Sequence, residues 1–101
     1  MTPFGARIHQ ALDERGALCA GIDPHPALLR AWGLDDTAAG VERFARTAVE
    51  GLARYAAAIK QQSAFFERHG SRGVAVLERV IGDARAAGAL VVLDVKRGDI
   101  G

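Results

Sequence analysis

Apolar residues in this chain follow two rhythms. Three short runs, Ala17 to Asp23, Ala56 to Lys60 and Ala89 to Lys96, are nearly continuous, and the segments between them repeat apolar positions every three or four residues. Short continuous runs predict strands and the helical spacing predicts amphipathic helices, giving a β-α-β-α-β order behind a leading helix. That first helix is expected over about Phe4 to Arg15, with Phe4, Ile8, Ala11 and Leu12 on one face and Gly16 as its stop. Pro24-His25-Pro26 makes a turn that launches a short helix through Ala27-Leu28-Leu29, ending near Trp32-Gly33. Asp35-Asp36-Thr37 then offers an N-cap to a longer helix. Its apolar face is predicted as Val41, Phe44, Ala45, Ala48, Leu52 and Tyr55, with Glu42, Arg43, Arg46 and Glu50 outward. A last helix from about Ser71 to Ala87 presents Val74, Leu77, Ile81 and Ala84 before Gly88 closes it.

The run Ala89-Leu90-Val91-Val92-Leu93 shows no alternation, the habit of a parallel strand buried on both faces under helices. The strand ends Asp23, Lys60 and Asp94 lie 37 and 34 positions apart, close to the ~30 residues of one βα unit in an eight-fold barrel. An eight-stranded barrel takes about 250 residues. The expected fold is therefore α/β, residues 1–101 forming one partial domain as the opening three βα units of a larger fold. A small open α/β domain is the other possibility, but the third strand carries no edge-blunting Pro or Lys until its end and so expects a neighbour.

Composition narrows the function. Half of the 101 residues are hydrophobic, and 13 Lys+Arg against 12 Asp+Glu leave a net charge of +1. Such a chain folds as a soluble globular unit and lacks the basic footprint of a nucleic-acid binder. No apolar span reaches the ~18 residues of a membrane helix. The start has no apolar signal core, and the single Cys19, expected to be a small buried side chain, forms no intrachain disulfide. A cytoplasmic protein with a small-molecule partner is expected.

The chemistry is concentrated where the strands end. In parallel α/β folds the carboxyl ends of strands surround the ligand site, and here they read Gly21-Ile22-Asp23-Pro24-His25-Pro26, Ile59-Lys60-Gln61-Gln62 and Asp94-Val95-Lys96-Arg97-Gly98-Asp99. Eleven of the 13 basic residues are Arg, and the only two Lys, Lys60 and Lys96, both stand at these ends. Lysine can deliver a proton where arginine cannot. Asp94 and Lys96 are two apart on a strand and so face one side together, with Asp99 on the loop beyond. A solvated salt-bridge cluster would show the same spacing.

These blocks carry a family resemblance. Asp94-Val95-Lys96-Arg97-Gly98-Asp99-Ile100-Gly101, together with Gly21 to Pro26 and Lys60-Gln61-Gln62-Ser63-Ala64-Phe65-Phe66-Glu67, resembles orotidine 5'-phosphate decarboxylase of the actinobacterial type, over essentially the whole chain. The resemblance implies the (β/α)8 barrel, a homodimer sharing its active sites, and conversion of orotidine 5'-phosphate to uridine 5'-phosphate in pyrimidine synthesis without metal or organic cofactor. It further implies that Asp23 holds ribose hydroxyls, that Lys60 binds ribose and steadies the charges, and that Asp94 sits beside the departing carboxylate. Lys96 would protonate C6, and Asp99 would reach the neighbouring subunit's site. A cation aimed at C6 suits the reaction, since no cofactor delocalises the carbanion. The pattern departs in one place, Gln61 standing where the family usually has proline. The family's phosphate-gripping segments would lie beyond Gly101, so the 101 residues alone are expected to be inactive.

Two other functions remain open. A magnesium-dependent sugar-phosphate aldolase or decarboxylase on the same barrel shares the Asp-x-Lys-x-x-Asp spacing, and a non-catalytic α/β module is the reading from another class. His9, His25 and His69 share no metal-binding spacing, and Trp32, Phe65 and Phe66 are expected to pack rather than to stack on bases. No P-loop and no G-x-G-x-x-G follows a strand.

Overall fold

The computed structural model describes residues 4–16 and 18–95. Helix α1 (Phe4–Arg15) leads into β1 (Cys19–Ile22), followed by α2 (Pro26–Ala31), α3 (Ala38–Leu52), β2 (Ala58–Gln62), α4 (Ala64–Glu67), α5 (Gly70–Ala86) and β3 (Leu90–Asp94). The three strands are parallel in the order β1-β2-β3, with Cys19 beside Ala58 and Ala58 beside Leu90. Helices connect each strand to the next, so the predicted alternation of strand and helix is the observed one.

The helix starts have local causes. Proline opens α2, where its missing N–H costs nothing, and the Leu28 N–H donates to His25 Nδ1 at 3.2 Å. Thr37 caps α3, its Oγ1 accepting from the Gly40 N–H at 3.1 Å. Gly40 has to be glycine: a Cβ there would stand 1.9 Å from the Asp35 carbonyl oxygen. Of the predicted Asp35-Asp36-Thr37, it is Thr37 that makes the cap. The four-residue α4, which the apolar spacing does not reveal, turns the chain back after β2 and buries Phe66 completely.

One apolar layer joins the helices to the sheet. Ile22 and Ile59 meet Leu29, Phe44, Phe66 and Val80 there, each at most 5% exposed; burying side chains of this size is worth about 1.5–3 kcal/mol apiece. On α3 the buried face is Gly40, Val41, Phe44, Ala45 and Val49, while Leu52 and Tyr55, expected inside, are 37% and 65% exposed. Helix α3 stops at Leu52, so Tyr55 leaves the helical phase. On α5 the buried stripe is Gly73, Val76, Leu77, Val80 and Ala84, and the expected Val74 faces outward. Phe66 packs as expected, and Trp32 lies edge-on to Phe44 with ring centroids 4.5 Å apart, though half-exposed.

Among the described residues no helix packs along the other sheet face, and α1 reaches only its amino end through Ile8, Ala11 and Leu12. Cys19, expected to be buried, is exposed on it beside Ala58 and Leu90. For the same reason β3 is not buried on both faces: it is the edge strand here, and Val92 and Leu93 are 43% and 42% exposed.

At the amino ends of the strands one side chain ties three helices. Arg15, the last residue of α1, donates through Nη1 to the carbonyls of Ala53 and Ala56 and through Nη2 to that of Ala87 at 2.8 Å. Ala53 and Ala87 are the residues that end α3 and α5, so the guanidinium supplies positive charge where both helix dipoles are negative. No basic residue lies in the last turn of α3 itself. Gly88, at φ +89°, lets the chain turn there, and a Cβ on it would be 2.5 Å from Arg15 Nη2. On the outer surface Glu42 of α3 accepts from Nε and Nη2 of Arg79 on α5, at 2.7 and 2.9 Å, and Arg46 bridges to Asp83 at 2.8 Å.

Candidate active site

Strand β2 sets the geometry. Its residues alternate, Ile59 and Gln61 turning into the helix layer while Lys60 and Gln62 take the open face. The strand runs two residues past the predicted end at Lys60, because Ile22 and Leu93 pair with Gln61 and Asp94 pairs with Gln62. Lys60 is thus held inside a strand, flanked by Gly21 and Val92. Gly21 leaves room beside it.

The carboxylates approach from both sides. Asp94 follows Val92 by two positions on β3 and faces the same way, with Oδ2 3.8 Å from Lys60 Nζ. Asp23 lies just past β1, and its Oδ2 is 3.8 Å from where a Gly21 Cβ would be, so this carboxylate leans over the strand that adjoins Lys60. Three predicted site residues therefore gather at the carboxyl end of the sheet on its open face. Lys60 and Asp94 have side chains 51% and 26% exposed, and an ion pair so wetted contributes little to folding. Placement, not stability, distinguishes the group. The predicted Lys96 and Asp99 lie outside the described residues.

Gln61 differs from its neighbours. It is 0% exposed on the helix side of β2, and among the described residues neither its amide nitrogen nor its amide oxygen has a hydrogen-bond partner. A buried, unpaired amide is costly. Its position is the one where the sequence breaks the expected lysine-proline pattern. Nothing in polarity or spacing foretells its burial; the strand's extension to Gln62 does.

A second charged group, unnoticed in the sequence, stands behind Asp23. Arg68 Nη2 reaches Asp36 Oδ1 at 2.6 Å and donates to the Pro24 carbonyl at 3.3 Å, while His69 Nε2 is 3.4 Å from the same Asp36 oxygen. The bond from Arg68 holds the Asp36 carboxyl below the usual carboxylate range, against a smaller opposing effect of desolvation. Asp36 reads in sequence as part of a helix cap, which hides this role. Among the described residues no group of three or more His, Cys, Asp or Glu is arranged to hold a metal ion.

Comparison with known proteins bears on what these charges do. Residues 16–101 match the family model described as orotidine 5'-phosphate decarboxylase / HUMPS. The chain belongs to that family. Within the decarboxylase / HUMPS family, it is 67% identical over all 101 residues to the orotidine 5'-phosphate decarboxylase of Streptomyces coelicolor, of which it covers 36%. A solved structure from Streptomyces avermitilis, described as an orotidine 5'-phosphate decarboxylase, superposes with a TM-score of 0.93 at 65% identity, covering 100% of this chain and 35% of that one. The orotidine monophosphate decarboxylase of Leishmania donovani gives a TM-score of 0.76 at 35% identity, over 99% of this chain and 36% of that one. The chain thus spans little more than a third of these relatives. No described helix is long and apolar enough to cross a membrane.

Proposed function

We propose that residues 1–101 form the opening βα units of an orotidine 5'-phosphate decarboxylase, acting in the cytoplasm as a homodimer. The observation that carries this reading is the Lys60–Asp94 pair on the face shared with Asp23, in a chain 67% identical to a relative of that name. The substrate is orotidine 5'-phosphate and the product uridine 5'-phosphate.

In the reaction the bond between C6 and the carboxylate breaks and its electron pair stays on C6. The ammonium of Lys96 supplies the charge that stabilises the developing carbanion, and its proton ends on C6, leaving CO2 and a neutral lysine. Asp94 lies beside the substrate carboxylate, where like charges repel until CO2 departs. Lys60, between the carboxylates, balances them and reaches the ribose; Asp23 holds the ribose hydroxyls. Asp99 acts in the neighbouring subunit's site. The chemistry uses side chains alone.

The test is a full-length decarboxylase carrying this segment, expressed in a host without its own enzyme and followed by the pyrimidine absorbance change. Wild type should turn over with a chelator present, which separates it from a magnesium-dependent sugar-phosphate enzyme. Lys96→Ala should lose several orders of magnitude in kcat, and mixing Lys96→Ala with Asp99→Ala subunits should restore partial activity. Activity within tenfold of wild type in Lys96→Ala refutes the assignment.

A further inference from the structure

Asp23 sits on a very short connection. Only Asp23, Pro24 and His25 separate β1 from α2, and the His25 N–H closes back on the Asp23 carbonyl at 2.8 Å, a tight turn about Pro24. Pro24 is buried while Asp23 and His25 are exposed. The turn is thus anchored at the buried Pro24 and at His25, which caps α2, and the Asp23 carboxylate is its exposed arm. Its remaining hold comes from another unit of the fold: Arg68, the residue that ends α4, donates to the Pro24 carbonyl at 3.3 Å. The same nitrogen is held by Asp36 at 2.6 Å, from the stretch before α3, with His69 at 3.4 Å on the same oxygen.

One guanidinium thus bridges the β1–α2 turn, the approach to α3 and the end of α4. Asp36 is 39% exposed, so the pair adds little to stability. A charged hydrogen bond is nevertheless directional, and it fixes the carbonyl of the residue next to Asp23. Misplacing a positioning group by about 1 Å can cost as much as ~100-fold.

We propose that Arg68, oriented by Asp36, is a positioning residue for the nucleotide: by holding the Pro24 carbonyl it sets the direction in which the Asp23 carboxylate meets the ribose hydroxyls. This rests on the ribose role proposed above for Asp23. The contacts of Arg68 are to Pro24 and Asp36, so it acts on Asp23 through the backbone. Its loss should weaken recognition of the sugar and leave the protonation step nearly intact.

Full-length decarboxylase carrying this segment is the material, and the probes are uridine 5'-phosphate and its 2',3'-dideoxy analogue, which offers Asp23 no hydroxyl. Arg68→Met should weaken uridine 5'-phosphate about tenfold and the dideoxy nucleotide less than about twofold. KM for orotidine 5'-phosphate should rise in step while kcat changes less than about threefold. Arg68→Lys should recover part of the loss, and in an Asp23→Ala background Arg68→Met should add nothing. Equal losses for both nucleotides would mean a merely structural bridge and overturn the proposal. If Asp23→Ala abolishes the preference for the hydroxylated nucleotide but Arg68→Met and Asp36→Asn leave it intact, the bridge alone is wrong. If Asp23→Ala leaves that preference unchanged, the ribose role fails and the bridge with it. Asp36→Asn gives the same readout should Arg68→Met fail to fold.

Discussion

Replacing Arg15 by Met keeps the aliphatic stem of the side chain and removes the charge that joins the ends of α3 and α5. The firm bonds are those to the carbonyls of Ala53 and Ala87; the reach of 3.4 Å to Ala56 is marginal. Taking each firm bond at the low end for a charged donor, about 1.5 kcal/mol, because water can reach the freed carbonyls, Arg15→Met should cost about 3 kcal/mol. Gly88→Ala acts on the same contact. The left-handed φ of +89° costs a β-carbon about 1 kcal/mol. Its Cβ, 2.5 Å from Nη2, also displaces the guanidinium, losing the Ala87 bond for about 1.5 kcal/mol more. Gly88→Ala alone should therefore cost about 2.5 kcal/mol, but only about 1 kcal/mol when Arg15 is already Met. Urea unfolding of the four proteins, as full-length decarboxylases carrying this segment, measures the cycle. Costs that add to within about 0.5 kcal/mol would refute the idea that Gly88 protects the Arg15 bond.

Three further outcomes follow from the same structure. Gln61→Leu should raise stability by about 1–2 kcal/mol, since it removes a buried amide with no partner; a lower urea midpoint would show that the amide is satisfied in solution. Glu42 is held below the usual carboxylate range chiefly by its bond to Arg79, so its contribution is fully present above the unfolded value of about 4.3 and disappears as pH falls through the lower folded value. Glu42→Gln should flatten the loss of stability below about pH 4, and parallel acid profiles would contradict this. Expressed alone, residues 1–101 should self-associate through the exposed Val92, Leu93 and Val95 of the uncovered edge and show no turnover; a monodisperse, active monomer by light scattering and absorbance assay would overturn that expectation.

The order of the longer elements was readable because Gly16 and Gly88 stop α1 and α5 and because short apolar runs mark the strands, although β2 continues past its run into Gln61 and Gln62 and α4 left no signal. The helix faces were less so. Val74 looks interior by spacing, yet the buried stripe of α5 runs through Val76, and Tyr55 falls out of phase because α3 stops at Leu52. The burial expected for Cys19 failed because a sequence run is apolar without saying which sheet face will be covered. At the candidate site, Asp23, Lys60 and Asp94 were recognisable as charges continuing apolar strands. Arg68 was not, since its partners Pro24 and Asp36 are 44 and 32 positions away and neither residue type signals a bridge.

The alternation of β2 puts two incompatible environments one residue apart. Ile59 and Gln61 are enclosed by helices, and Lys60 reaches across the open face to Asp94. Losing one residue from the connection at 53–57 would present the whole strand with the opposite hand, sending the lysine into the apolar layer and an isoleucine into the water-facing site. Folding cost and loss of chemistry would arrive together, so this connection should tolerate changes of identity far better than changes of length.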